Sequence, residues 1–391
     1  MTQPRIQEVR AGARPPRIWG LARSLLRREW ALLVSLTTTG LFLGFGGSWL
    51  GDLSRPVWFA LILAWLFAAV MLSGKAVVRH AESLAVQLGE PLGTLVLTLS
   101  VIGIEVMMIG AVMAAGPGNV TLARDAMFAV IMIVLNGMVG LCLLLGGLRY
   151  HEQTYNLAGA NAFLAVIVPL AVLGLVLPNF TQSSPGPTFS PLHATFLILM
   201  SVGLYGVFLA MQTSRHRDYF VQPVPTDESA GADPEHHHHE VRSVVYHAVF
   251  LPVYLLPVVI LAKKISIPID YGIHVFHAPP ALGGLLVSVL VLSPEAMSSV
   301  RAALANQLQR SVNLLLGSVL ASISLTIPAA LTMGFLIGQT IILGLDPVDT
   351  VLLVLTLAVS MLTFASARTN VLLGAVHLLL FFAYLMLIFE K

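Results

Sequence analysis

Apolar runs of about 20 residues follow one another along almost the whole chain, and only residues 1–30 and 213–242 are polar over a long stretch. A run of that length is what a helix needs to cross the hydrocarbon core of a bilayer. The runs lack the alternation of a barrel strand. The pattern therefore predicts an all-α polytopic membrane protein with about eleven transmembrane helices. We place these spans at residues 31–50, 56–73, 91–116, 124–148, 157–178, 189–212, 243–262, 274–299, 311–338, 348–367 and 370–389.

Composition excludes a water-soluble protein. Apolar residues make up 57% of the chain and charged residues 10%, whereas soluble domains have roughly 45–50% and 25%. One globular core cannot hide that much apolar surface. The single cysteine, Cys142, excludes an internal disulfide, and we expect it to be a packed apolar residue.

The basic residues are distributed unevenly over the two sides that eleven spans define. If the amino terminus is cytoplasmic, 16 of the 21 Lys and Arg residues fall on the cytoplasmic side. Loops rich in Lys and Arg remain in the cytoplasm. The distribution predicts a cytoplasmic amino terminus and a carboxyl terminus on the other side of the membrane.

Two acidic residues differ from the other seventeen, because they lie too deep in an apolar run to reach water by sliding to an interface. They are Glu105, in LTLSVIGIEVMMIGAV, and Glu295, in LLVSVLVLSPEAMSSV. An ionisable residue at such depth is costly and by default marks a functional site. The spans containing the two glutamates are therefore the candidate ion pathway.

The sequences around the two glutamates resemble each other at a shift of 190 residues. Gly93 aligns with Gly283 and Glu105 with Glu295, while Thr98 meets Ser288. The glutamates lie five spans apart, so their helices run in opposite directions. Such a separation predicts two inverted five-helix repeats, spans 2–6 and 7–11, with an extra first helix.

These repeats and the polar stretches define the organisation of the chain. We predict a cytoplasmic basic arm at 1–30, the extra first helix at 31–55, the first repeat at 56–212, an acidic, His-rich cytoplasmic loop at 213–242 and the second repeat at 243–391.

Neutral oxygens near the glutamates are candidate supporting ligands for an ion. At a shift of 186 residues Asn136 aligns with Ser322, and Ser318 lies one turn earlier on the same span as Ser322. Together with Thr98 and Ser288, these side chains could complete an oxygen shell. Small polar residues also hold transmembrane helices together, which is the alternative role for each of them.

The loop at 213–242 carries a second group of candidate ligands. Carboxylates and imidazoles alternate in it and could sense ions or pH on the cytoplasmic side. The alternative is a solvated linker, favoured by the prolines of the same stretch. The residues concerned are Asp233, Glu235, His236, His237, His238, His239 and Glu240.

Two segments resemble the alpha-repeats of bacterial calcium/proton antiporters of the cation/calcium exchanger superfamily. They are 79–107, RHAESLAVQLGEPLGTLVLTLSVIGIEVM, and 293–328, SPEAMSSVRAALANQLQRSVNLLLGSVLASISLTIP. The resemblance implies that Glu105 and Glu295 bind the cation and exchange it for protons, in a bacterial inner (plasma) membrane. The repeats read GIE and SPE where vacuolar members carry GNATE and GNAAE, and the nearest bacterial branch also moves sodium or potassium.

We therefore expect a secondary active antiporter that exports Ca²⁺ in exchange for H⁺, with Na⁺(K⁺)/H⁺ antiport on the same scaffold as the alternative. A cation channel and a membrane-embedded enzyme are the other classes considered. Catalytic signatures such as G-x-S-x-G, H-E-x-x-H and the Walker lysine motif do not occur in the sequence. We expect no cofactor besides the transported ions, and the lipid bilayer rather than nucleic acid as the partner; the sequence leaves the oligomeric state open.

Overall fold

The protein is described here from a computed structural model that covers residues 28–89, 92–113, 120–222 and 243–390. Within these ranges eleven apolar helices follow one another, and eight of them are long and apolar enough to cross a membrane. We number them α1 Trp30–Gly44, α2 Pro56–Leu88, α3 Leu92–Met113, α4 Leu122–Tyr150, α5 Leu157–Asn179, α6 Pro191–Arg215, α7 Val244–Val275, α8 Ala281–Leu304, α9 Leu308–Ile337, α10 Pro347–Thr363 and α11 Val371–Glu390.

Two further features connect these helices. A short helix, Gly46–Gly51, continues from α1. Strands β1, Gln153–Thr154, and β2, Arg368–Thr369, pair in antiparallel fashion between two loops. The fold is therefore the helical bundle of eleven spans that the apolar pattern predicts.

The first helix of each predicted repeat is much longer than its apolar run. The predicted spans 56–73 and 243–262 cover only part of α2, which has 33 residues, and of α7, which has 32. Both helices continue through charged residues, among them Arg79 and Lys263, where hydropathy falls but helix propensity does not. The span predicted from 274 begins only at Ala281, because Pro279 and Pro280 precede it.

Loops that the eleven-span count assigns to one side do meet in the structure. On one side, Gln153 donates to the carbonyl of Ala303 over 2.8 Å and Asn313 donates to the carbonyl of Phe220 over 2.7 Å. We call this side the basic face; it carries residues 151–156, 216–222, 305–307 and 364–370. On the opposite face, the backbone of Gly344 donates to the carbonyl of Pro187.

The buried apolar residues form two separate cores. The larger core joins α4, α5, α6, α9, α10 and α11. The smaller one joins α1, α2 and α7, with Leu66 and Tyr254 at its centre. Helices α3 and α8 contribute to both: Ile102 of α3 packs into the larger core and Ile104 into the smaller. The two glutamate helices thus lie between a six-helix body and a three-helix group.

The two sets of five helices, α2–α6 and α7–α11, correspond in order and in local irregularity. The helix after each glutamate helix contains a π-helical segment, Met132–Met138 in α4 and Ser322–Thr326 in α9. Such segments occur frequently at functional sites. In α9 the segment begins at the serine that contacts one of the glutamates.

Candidate ion site

Each of the two intramembrane glutamates accepts a hydrogen bond from a serine of α9. Ser322 donates to Glu105 Oε2 over 2.7 Å, and Ser318 donates to Glu295 Oε2. The serines are four residues apart, which is about 6 Å along a helix. One helix therefore holds both carboxylates, one turn apart, although they come from α3 and α8.

The two carboxylates lie at different depths from the basic face. Counted from the helix ends on that face, Glu295 and Ser318 are about 14–15 Å deep, and Glu105 and Ser322 about 20–21 Å. From the opposite face the order of the glutamates is reversed, as an inverted repeat requires. The site is thus a pair of unequal positions along one pathway.

Glu105 is the occluded member of the pair. Its side chain is only 3% exposed, and Oε1 is buried without a hydrogen-bond partner in the structure. Thr326 lies beside it, one turn beyond Ser322, but its hydroxyl makes no hydrogen bond of good geometry. Buried polar groups are rarely left unpaired, so each such group needs an explanation. The free oxygens of Glu105 and Thr326 are suited to a cation.

Glu295 is the accessible member. It is half-buried and lines a cavity of about 820 Å³ together with Ser318 and Thr98. Glu105 is not among the residues that line this cavity. Solvent from this side therefore reaches one carboxylate of the pair and stops short of the other.

The cavity opens on the basic face. Its outer part is lined mainly by side-chain amides and one guanidinium, which attract water without holding a cation: Gln212, Gln222, Gln307, Gln309, Asn313 and Arg310. Glu82 of α2 lies within electrostatic range of both Arg310 and Glu295. A cation entering from this side meets a polar funnel that ends at Glu295.

The supporting ligands predicted from the sequence divide into two groups. Ser318 and Ser322 contact the glutamates, and Thr98 shares the cavity with Glu295. Ser288 instead donates to the carbonyl of Ala126, on α4. The hydroxyl of Ser288 is thus used to pack α8 against α4, the alternative role that sequence left open.

Asn136 also takes part in helix packing. Its amide donates to Thr356 Oγ1 over 2.8 Å, and its carbonyl oxygen lies 3.2 Å from Nδ1 of His377. The other ring nitrogen of His377 lies 2.9 Å from the Thr363 hydroxyl. Because Asn136 Oδ1 can only accept, His377 carries its proton on Nδ1 and Thr363 donates to Nε2. This chain of hydrogen bonds joins α4 to α10 and α11 and satisfies the amide without an ion.

Sequence reasoning missed Thr326. The signal was present in SISLTIP, where Thr326 follows Ser322 by one turn and precedes Pro328 by two residues. The candidate sensing residues Asp233 to Glu240 lie outside the described residues. Within the described ranges, no group of three or more His, Cys, Asp and Glu side chains is placed to hold a metal ion, so the pathway relies on carboxylate pairs and hydroxyls.

Comparison with known proteins relates the whole helical region to transporters. The family model described as "Sodium/calcium exchanger protein" matches residues 58–214 and 246–390. The putative ionic transporter y4hA of Sinorhizobium fredii is 44% identical over 325 residues, which are 82% of this chain and 87% of that protein. The sodium-potassium/proton antiporter ChaA of Escherichia coli is 41% identical, covering 87% of this chain and 92% of ChaA.

Solved structures share the fold at low sequence identity. Native YfkE superimposes with a TM-score of 0.69 at 16% identity, covering 92% of this chain and 100% of that one. The H⁺/Ca²⁺ exchanger CAX superimposes with a TM-score of 0.63 at 18% identity, covering 93% of this chain and 89% of that one. The matched regions include both glutamate helices and both cores.

Proposed function

Because this chain belongs to the sodium/calcium exchanger protein family, we propose that it exchanges a cation for protons, with Glu105 and Glu295 carrying either the cation or the protons. The observation that carries the proposal is the attachment of both carboxylates to serines one turn apart on α9. A cation between them would be shared by the two repeats. Proton and cation would compete for the same oxygens, which is the basis of antiport.

Charge balance favours calcium as the cargo. Two ionised carboxylates with one Ca²⁺ carry no net charge, and neither do two protonated carboxyls without an ion. The empty, doubly ionised pair is the costly form inside a membrane. The site would therefore cross the membrane loaded with Ca²⁺ or with protons, and rarely empty.

The oxygens at the pair suit this ion. Ca²⁺ takes six to eight oxygen ligands. The two carboxylates offer four, and the hydroxyls of Ser318 and Ser322 bring the number to six. The unpartnered hydroxyl of Thr326 and water from the cavity would complete the shell.

Na⁺(K⁺)/H⁺ antiport is the second candidate. A specific observation favours it: ChaA, 41% identical, bears the name sodium-potassium/proton antiporter. A monovalent ion needs only one ionised carboxylate, so the other would stay protonated. The unequal depths of Glu105 and Glu295 fit such a division of roles.

The cavity supports an orientation as well. Most Lys and Arg residues lie toward the basic face, which the positive-inside rule assigns to the cytoplasm of a bacterial inner membrane. The cavity would then give the cytoplasm access to Glu295. Alternating access would close it and expose Glu105 from the other side. The direction of transport would be export of the cation against inward movement of protons.

Everted membrane vesicles with an acidic interior test the proposal. We expect added Ca²⁺, Na⁺ or K⁺ to release protons from the vesicle interior, and labelled Ca²⁺ to accumulate while the pH gradient lasts. Comparing the three ions at several pH values selects the cargo. Uptake that continues after full collapse of the proton gradient would refute antiport, and proton release by Na⁺ or K⁺ alone would favour the second candidate.

A further inference from the structure

A second polar cluster lies at the basic face, away from the ion pathway. It joins the residue before α1 to the ends of α2 and α7. Glu29 Oε2 lies 2.5 Å from Arg79 Nη2 and 3.4 Å from His80 Nε2. On its other side, His80 Nδ1 lies 2.9 Å from His247 Nδ1. Glu29, His80 and His247 thus form a line of one carboxylate and two imidazoles.

The carboxylate at the head of this line is fully paired. Tyr246 donates to Glu29 Oε1 over 2.6 Å, and Tyr254 donates to Oε2 over 2.7 Å. Burial raises the pKa of Glu29, but the two tyrosine hydrogen bonds and the charges of Arg79 and His80 outweigh it, and the pKa falls below its ordinary value of 4.5. Glu29 is therefore ionised at neutral pH and fastens α1 to the helices that begin the two repeats.

The contact between the two imidazoles allows only certain protonation states. A hydrogen bond between two Nδ1 atoms needs one donor and one acceptor. The neutral pair satisfies this condition, and so does a pair with one extra proton, in which His80 Nε2 faces Glu29. When both rings are protonated, two N–H groups oppose each other, beside the guanidinium of Arg79. The second proton therefore breaks the contact between α2 and α7.

The surroundings keep the pair out of bulk water. His80 is 1% exposed and His247 is 8% exposed, and Phe250 stacks on the ring of His80. The charged and titratable groups of the described residues that face the pair are Glu29 from the start of α1, Arg79 from α2, and Tyr246 and Tyr254 from α7. Glu29 is the one anion among them, so it compensates one added proton and not two.

The position of the pair connects it to the transport pathway. Helices α1, α2 and α7 share the smaller core and pack together as one group. Four to six residues beyond His80, Ala85 and Val86 of α2 line the cavity that leads to Glu295. Parting α2 from α7 at this end would displace a wall of that cavity.

We propose that His80 and His247 form a proton-binding site at the basic face, and that its full protonation separates α2 from α7 and slows exchange. The inference rests on the proposed antiport only for its readout. It assigns to the extra helix α1 a role in the device, because Glu29 supplies the compensating charge. It also makes exchange sensitive to cytoplasmic acid at a site that carries no cargo.

Transport in everted vesicles at bath pH values of about 6 and about 8 tests the inference, because these values bracket the ordinary histidine pKa near 6.5. The variant is His80→Gln with His247→Gln, whose amides form hydrogen bonds without titrating. We expect equal exchange at the higher pH and about fivefold more exchange than the wild type at the lower pH, where most ordinary histidines are protonated. The control is His151→Asn, an exposed histidine of the same face with φ 66°, which asparagine tolerates.

Wild type and double variant with the same pH profile would overturn the inference, as would an equal shift in the control. Wild-type vesicles without exchange at either pH would instead refute the proposed function. A second readout needs no transport. Spin labels at Val86 and Val245, which are 75% and 69% exposed, should move apart on acidification in the wild-type background and stay in place in the double variant. An unchanged wild-type distance would contradict the inference.

Discussion

Glu105 and Glu295 occupy unlike environments although the sequence presents them as equivalents. Ser322 and Ser318 give each one hydrogen bond, yet Glu105 is closed off and Glu295 faces a cavity. In an inverted repeat the two residues must exchange environments when the other face opens. The asymmetry is therefore what one conformation of an alternating-access cycle should contain.

The serines should determine cation affinity. Ser318→Ala and Ser322→Ala each remove a hydroxyl that contacts a carboxylate, and hydrogen bonds to charged groups are worth about 1.5–3 kcal/mol. We expect each variant to raise the cation concentration for half-maximal exchange by about tenfold or more, since 1.4 kcal/mol is a factor of ten. Ser288→Ala, which removes a hydroxyl bonded to Ala126, is the matched control. Affinity unchanged in both site variants would remove the serines from the site.

Glu29 should contribute stability that depends on pH. Its folded pKa is lowered, so its contribution is complete at neutral pH and is lost as the pH falls through the lowered value. We expect Glu29→Gln to cost about 3 kcal/mol at pH 7, because the buried cationic partner Arg79 loses its counter-charge. Thermal unfolding in detergent measures this. A variant that is as stable as the wild type at neutral pH would show that the cluster does not hold α1.

Residue-level prediction succeeded where a local signal existed. Depth in an apolar run identifies Glu105 and Glu295, and helical spacing from an aligned arginine leads to Ser318 and Ser322. Asn136 was assigned a ligand role from the cost of burying an amide, but Thr356 and His377 offset that cost through contacts 220 and 241 residues away in the chain. The Glu29 cluster likewise spans 51 and 167 residues, and no periodicity indicates it.

At the scale of elements, α9 is the helix that organises the site. It carries both serines and Thr326, and its π-helical segment starts at Ser322. Its first turns line the cavity through Asn313 and Leu314. One helix thus extends from the water of the basic face to the occluded carboxylate.

Thiol labelling along α9 tests this arrangement. Leu314→Cys places a thiol in the cavity, whereas Val319→Cys places one in the larger core, where Val319 is fully buried. We expect a membrane-impermeant thiol reagent to modify the first and spare the second in everted vesicles, and to modify neither in right-side-out vesicles. The native Cys142 is buried and should give little background. Equal labelling of both variants, or labelling from the other side, would contradict the assigned cavity and orientation.

Element boundaries were predictable to within a few residues where apolar runs end at loops. The lengths of α2 and α7 were not, because a transmembrane criterion ends with the apolar run. These helices extend through polar residues that other helices cover, among them His80 and Arg79 of α2. The unpredicted parts carry the second cluster, which explains why sequence analysis did not find it.

At the scale of the whole molecule, the two cores suggest how the protein changes conformation. The smaller core of α1, α2 and α7 and the larger core of the other six helices meet along α3 and α8. A shift of one group against the other would move both glutamate helices while each core remains packed. The fold class, span count and repeat order follow from the hydropathy pattern and the glutamate alignment. The division into two cores required the structure.

The central claim is that Glu105 and Glu295 exchange the cation for protons. The most direct test measures Ca²⁺ uptake and proton efflux together in proteoliposomes containing the wild type, Glu105→Gln or Glu295→Gln, with Na⁺ or K⁺ in place of Ca²⁺ if the vesicle experiment selects it. The account predicts coupled fluxes in the wild type and loss of both in each variant, with helix content unchanged because a neutral amide is the cheaper buried group. Coupled exchange at the wild-type rate in either variant would contradict it.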